Sequence, residues 1–218
     1  MAVMRSREIP KDAITMDESD AVMYAWDVVS NWESLSDVWA LRYSPTILGG
    51  ISAVSGVLIN HHFRHKLKLA TYGYYSSVLP ISILPGIMTA LFHKHFISTD
   101  LLLMKNNGCP ICYEVKSGLI QVTLGTAYPM ILGPISGAML ASRYNTYRVP
   151  SLTETPKEVF KLMAKIAKPL YSTLMFVTSF QFVASSVVTY FEMRNTFKIR
   201  MRMLEIEDQI SREEGEKL

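Results

Sequence analysis

Cys109-Pro-Ile-Cys112 holds the only two cysteines of this 218-residue chain, and it is where chemistry would be sought first. A CxxC can be a redox dithiol when its first thiol opens a helix in a thioredoxin-like βαβ setting, but nothing in the flanking sequence predicts such a sheet. Tyr113 follows Cys112, so the haem-attachment pattern CxxCH is absent. Zinc wants four ligands. His93-x-His95 together with the two cysteines would supply them, at a His spacing shorter than common zinc modules use. The third reading is a short disulfide or a pair of free thiols that shapes a loop. A lone CxxC is an unspecific signal, and this third reading asks least of it. Asn106-Asn107-Gly108, just upstream, is turn chemistry and predicts a compact hairpin. No Ser-His-Asp arrangement, phosphate-cradling glycine loop, carboxylate pair or basic groove with interleaved aromatics stands out. We therefore assign no catalytic residue, no cofactor and no metal site from the sequence, and expect a protein that is not an enzyme.

The elements that carry these residues are marked by where charge stops. Charged residues make up 19% of the chain, hydrophobic residues make up 49% and mean hydropathy is +0.17, an unusual balance for a soluble domain of this length. Ser44–Asn60, Leu69–Phe92, Ser117–Ser142 and Pro169–Phe191 contain no Asp, Glu, Lys, Arg or His. A helix needs about 20 apolar residues to cross a bilayer. The last three stretches meet that length, and the first does so with help from residues 39–43. None shows the polar face of a soluble core helix. Glu8, Asp12, Asp17, Glu18 and Asp20 make the N-terminus unlike a secretory signal or a basic presequence, so targeting is expected to be internal. Lys and Arg are nearly balanced between the two sides of such a bundle, which leaves its orientation open.

Small residues in these stretches suggest close helix packing. Gly133-x-x-x-Gly137-x-x-x-Ala141 lines one helix face, Gly125 lies upstream, and Ser52-x-x-x-Gly56 could be the opposing face. Such a stripe serves packing within the bundle or docking of a partner helix, and packing is the plainer reading. Ahead of the first stretch, all three tryptophans fall in residues 17–43. Tyr24, Val28, Trp32, Leu35 and Trp39 recur at helical spacing, with Trp26 beside them. They predict an amphipathic helix that lies at the interface, meets a protein partner or packs on its own bundle. The intramembrane stretches hold no ionisable residue, whereas ion-coupled transporters usually place one there. After the fourth stretch the last helix is expected to continue outward as a charged tail.

The run KSGLIQVTLGTAYPMILGPISGAMLASRY, Lys116–Tyr144, resembles the hallmark region of the transmembrane protein 126 family. The matching residues are Lys116, Ser117-Gly118-Leu119, Gly125, Tyr128-Pro129, Pro134, Gly137 and Leu140-Ala141-Ser142-Arg143-Tyr144. Upstream, Asn60-x-x-Phe63-Arg64, Leu79-Pro80, Pro85 and Thr99-Asp100 agree. A CxxC before Ser-Gly-Leu is similar to the A-type member. The resemblance implies a multi-pass protein of the mitochondrial inner membrane that assists assembly of respiratory complex I. Its implied partners are membrane-arm subunits, other assembly factors and the lipid bilayer. No catalytic residue is implied.

The expected fold is an all-α membrane protein, a bundle of about four transmembrane helices plus the N-terminal amphipathic helix. It divides into an acidic N-terminal region (1–43), a membrane domain (44–191) and a charged C-terminal helix or tail (192–218). Two alternatives stand beside the scaffold reading. One is a small channel or metabolite carrier, which would need a continuous polar cavity lined by Gln121, Gln181, Ser185 and tyrosines. The other is a stable accessory subunit of a respiratory complex.

Overall fold

The computed structural model describes residues 17–103, 109–150 and 155–215. The predicted turn at Asn106-Asn107-Gly108 and most of the acidic N-terminus lie outside the described residues. Among the described residues all regular structure is helical. In chain order the helices are α1 (Glu18–Ser30), α2 (Leu35–Lys66), α3 (Tyr74–Leu102), α4 (Pro110–Tyr144), α5 (Pro156–Ala167) and α6 (Tyr171–Gly215). A short 3₁₀ turn, Lys168–Leu170, joins the last two. Each uncharged stretch lies mainly in one of four long helical segments. Three of these are long and apolar enough to cross a membrane: α3, α4 and the stretch Pro156–Ile206. The exception is α2. At 32 residues it has ample length, about 48 Å at 1.5 Å per residue. Its polar residues Ser44, Ser52, Ser55 and Asn60 are all buried and face the other helices. It is the central helix, packed on α3, α4 and α6.

Prolines in α3 and α4 are accommodated by local widening of the helix. A proline ring clashes with the carbonyl four residues before it and removes a donor. Pro85 and Pro129 each follow a π-helical turn, Leu79–Ile83 and Thr123–Ala127. Those turns contain Ile81 and Gly125, the carbonyls the rings would otherwise strike. π-Turns of this kind are rare and mark local adjustment of a helix. In apolar surroundings the freed carbonyl still wants a donor, and neighbouring helices can supply one. Gln181 Nε2 of α6 donates to Gly125 O at 3.3 Å.

The predicted aromatic helix over residues 17–43 breaks in two. Asn31 ends α1, its backbone N–H donating to Asp27 O and its side chain to Asp27 Oδ1 at 2.9 Å. Arg42 then donates to the carbonyls of Val29 and Ser30, capping α1 from outside. Asn and Ser compete for backbone partners and favour helix ends over interiors, and Asn31, Ser34 and Ser36 cluster at this break. The stripe of aromatics is therefore shared. Trp26 and Trp32 pack with Val29, Val38, Leu41 and Ile199, while Trp39 belongs to α2 and meets Phe191 at 5.5 Å. Trp26 also donates from Nε1 to Thr99 Oγ1 at 3.2 Å, and the Lys94 ammonium lies 4.5 Å from its ring centroid. Tyr24 remains partly exposed.

Trp26 is thus the pin of α1. Truncating a fully buried tryptophan costs about 3–5 kcal/mol. Trp26 is only half-buried, so Trp26→Ala is expected to cost about 1–2 kcal/mol, confined to α1. Limited proteolysis should then cut at residues 31–34 several times faster, with thermal unfolding of the long helices unchanged.

α6 continues well past its uncharged part, as the sequence suggests. Ile199 and Met203 seat its outer half against α1 and α2, and Lys198 pairs with Asp37 at 3.3 Å.

Candidate functional site

The most distinctive chemistry lies inside the bundle. Polar side chains recur at about one-turn spacing on all four long helices and meet along its interior. They are Ser44 and Ser52 on α2, Thr89 and His93 on α3, Ser117 and Gln121 on α4, and Gln181, Ser185 and Glu192 on α6. All are fully buried. Each helix has turned its few polar groups inward because the surroundings offer them no other partner.

At one end Glu192 of α6 joins α2 and α3 directly. Its Oε1 accepts from the hydroxyls of Ser44 and Ser98, the latter at 2.8 Å. Its Oε2 meets His93 Nε2 at 3.0 Å. The other imidazole nitrogen, Nδ1, meets Ser117 Oγ at 3.2 Å, and Ser117 bonds in turn to Ser185. One turn further in, Gln121 donates to Leu48 O and to Ser52 Oγ, at 3.2 and 3.0 Å. Thr89 donates to the same Ser52 oxygen at 3.0 Å. Gln181 reaches Thr126 at 3.2 Å besides the Gly125 carbonyl.

This seam corrects one expectation. The long helices were read as free of buried ionisable groups, because the uncharged stretches end at Phe92 and Phe191. His93 and Glu192 are the next residues on each side, and both are inside. The reason is helix length: α3 runs on to Leu102 and α6 to Gly215, so both groups still lie between packed helices. A signal for this was present in the sequence. Thr89/His93, Ser117/Gln121/Gly125 and Gln181/Ser185 all follow a spacing of four, and Glu192 extends the last of these by seven.

The small residues are placed as follows. Gly125 lets Ser52 and Gln181 converge, since a Cβ there would collide with both side chains. Gly56 lies against the Ile81 carbonyl and the backbone of Ser82. Gly49 and Gly86 face each other's carbonyls, a Cβ on Gly49 falling 2.6 Å from Gly86 O. Gly133 meets Phe63, Gly137 meets Leu67, and Ala141 is buried in a cluster with Leu67, Leu69 and Met163. Ser52 and Gly56 therefore oppose Gly125 and α3, not the Gly133–Gly137–Ala141 face, which takes the large side chains at the far end of α2. All these small residues meet atoms of their own chain.

Cys109 and Cys112 are joined to each other at the start of α4, both exposed. His93 is committed to Glu192 in the interior, so the four-ligand set of His93, His95 and the cysteines does not assemble. Among the described residues no three His, Cys, Asp or Glu side chains are grouped as metal ligands.

A helical bundle whose long helices bond their buried polar groups to one another, three of them long and apolar enough to cross a bilayer, is an all-α membrane protein held by interhelical packing. The family model described as Transmembrane protein 126 matches residues 23–207, and the chain belongs to that family. It is 40% identical to Transmembrane protein 126 of Drosophila melanogaster over 98% of this chain and 96% of the relative. It is 30% identical to Transmembrane protein 126A of Rattus norvegicus over 67% of this chain and 71% of the relative. A third relative, from Mus musculus, is named Complex I assembly factor TMEM126B, mitochondrial, and is 29% identical over 48% of this chain and 44% of its own length. Identity does not separate the two types. No solved structure matches the chain.

Proposed function

We propose that this protein is a non-enzymatic scaffold of the mitochondrial inner membrane that assists assembly of the membrane arm of respiratory complex I. The observation that carries the reading is membership of a family in which a relative is named a mitochondrial complex I assembly factor. The interior supports it. Gln121, Gln181 and Ser185 are buried and each bonds to a neighbouring helix, whereas a channel or carrier would need them to face a water-filled path.

Partner binding then falls to the outside. The stretch that includes α6 is the least buried of the three apolar ones. Phe176, Phe180, Val183, Val187 and Tyr190 form an exposed stripe along α6 at spacings of 4, 3, 4 and 3. Van der Waals packing against such a stripe is how helices associate in lipid. In this reading a newly inserted membrane-arm subunit rests on α6 and leaves when its permanent neighbour arrives.

Affinity purification of the full chain after mild detergent extraction should recover membrane-arm subunits or other assembly factors. Phe176→Ala with Phe180→Ala should lower that recovery several-fold while the chain stays at its normal level in the membrane. Deleting the gene should lower fully assembled complex I on native gels. An unchanged level of the complex would end this assignment.

A further inference from the structure

The end of α2 carries a site of a different kind. A cavity of about 390 Å³ opens there, its lining including Val57, His61, Arg64, His65, Lys68 and Tyr74. Its wall contains no carboxylate. Arg64 is the key group: 5% exposed, with its guanidinium gripped by neutral acceptors only. Nη2 donates to Ala70 O and Tyr72 O at 2.7 and 2.9 Å, and Nη1 to Ser77 Oγ and Gly73 O at 2.9 and 3.3 Å. The Tyr74 ring centroid is 5.2 Å from the guanidinium carbon. These dipoles hold the cation in place and leave its full charge uncancelled. The C-terminal dipole of α2 offsets about half a charge at most. Lys68 adds another formal charge at the cavity, and has no anionic partner among the described residues.

The loop that arranges these groups is strained and buttressed. Lys68, Ala70 and Gly73 all have left-handed backbones, with φ of 53°, 42° and 58°. For Lys and Ala that conformation costs energy and persists only when the surroundings enforce it. Here Leu67 and Leu69 are buried against Ala138 and Ala141, and Tyr72 stacks on Tyr144 at 5.2 Å. The result is a cavity whose Arg64 is held in place in advance of any ligand.

The geometry points to a binding site for the phosphate of an anionic phospholipid. The phosphate would seat between Lys68, the two histidines and the face of Arg64. The choice of lipid over soluble phosphate comes from the stripe on α2 that leads into the cavity. Val54, Val57, His61 and His65 succeed one another at spacings of three and four, turning from apolar to basic, and Lys68 lines the cavity just past the helix end. Val54 and Val57 are 61% and 44% exposed, as a surface for an acyl chain must be. Basic pockets at the ends of membrane helices bind anionic headgroups through this combination.

The test uses the purified full chain in mild detergent and native mass spectrometry, with phosphatidylglycerol, phosphatidylcholine of the same acyl chains, and inorganic phosphate as probes. One phosphatidylglycerol per chain should bind about tenfold more tightly than phosphatidylcholine. The variant His61→Ala/Lys68→Ala leaves Arg64 and its loop contacts in place and should lose that preference, with its melting temperature in lipid-free detergent unchanged. Lys157→Ala/Lys161→Ala, which removes two charges elsewhere, should keep it. Equal binding of the two lipids, or an unaltered preference in the His61/Lys68 variant, overturns the site. Binding of inorganic phosphate that matches the lipid in affinity and displaces it overturns the assignment to lipid.

Discussion

Glu192→Ala is expected to be the most damaging single substitution outside the prolines and glycines. It removes the acceptor for Ser44 and Ser98 and the counter-group of His93 in one step. None of the three can turn to water, since Ser44 and Ser98 are fully buried and His93 is 1% exposed. Removing one partner of a buried pair typically costs about 3–5 kcal/mol. The orphaned hydroxyls add to this, because an unsatisfied buried polar group costs about 1–3 kcal/mol. Glu192→Gln keeps an acceptor oxygen and similar volume, so the expected loss is smaller, about 1–2 kcal/mol. Replacing both partners, Glu192→Leu with His93→Leu, should recover part of what Glu192→Ala loses, since apolar substitution of a whole buried pair is often neutral. Thermal unfolding of each purified variant in detergent measures the series. If Glu192→Ala melts with the parent, the seam contributes nothing to holding the helices together.

The second large effect is expected at Gly56. A Cβ there would strike the Ile81 carbonyl and come within 2.8 Å of Ser82 Cα, both backbone atoms. No flexible side chain can move aside, so α2 and α3 would have to separate. Overpacking a well-filled core costs about 1–3 kcal/mol. Gly56→Ala should fall in that range, and Gly56→Val should reach about 3 kcal/mol or more. Gly50, six residues earlier, provides the contrast. Nothing lies within 4 Å of its would-be Cβ. Gly50→Ala should therefore stabilise α2, by up to about 1 kcal/mol, through helix propensity alone. Opposite signs for the same chemical change on one helix are the signature of backbone contact. Matching signs would mean that α2 and α3 are not in register at Gly56.

These two sites differ in how readable they were. The long uncharged runs and the density of Gly and Ser already implied helices packed closely in lipid, because both features are one-dimensional. Lipid demands internally satisfied backbone, and small side chains admit close approach wherever they recur. Which small residue meets which neighbour is a matter of rotation and axial offset between helices. Ser52 finds Gly125, and Gly133 finds Phe63, because α2 crosses several partners along its length. Spacing within one helix does not encode that offset.

The aromatic N-terminus shows the same limit from another side. Its 4-4-3-4 stripe is a true helical period, yet Asn31 and Ser34 interrupt the helix that carries it. Asn31 closes α1 through its bonds back to Asp27, and Arg42 supplied the cap from 11 residues beyond the break.

By itself, then, the amino-acid order determined that this chain is helical and membrane-embedded, and which family it resembles. Those properties follow from hydrophobic length and from motifs read along one strand of residues. Only the tertiary structure decided that His93 and Glu192, each a single residue past an uncharged run, become a buried pair, and that Arg64 stands at a cavity with its charge uncancelled. Burial and charge balance belong to what surrounds a side chain, and for these three the surroundings come from helices or loops distant in sequence or folded back upon it.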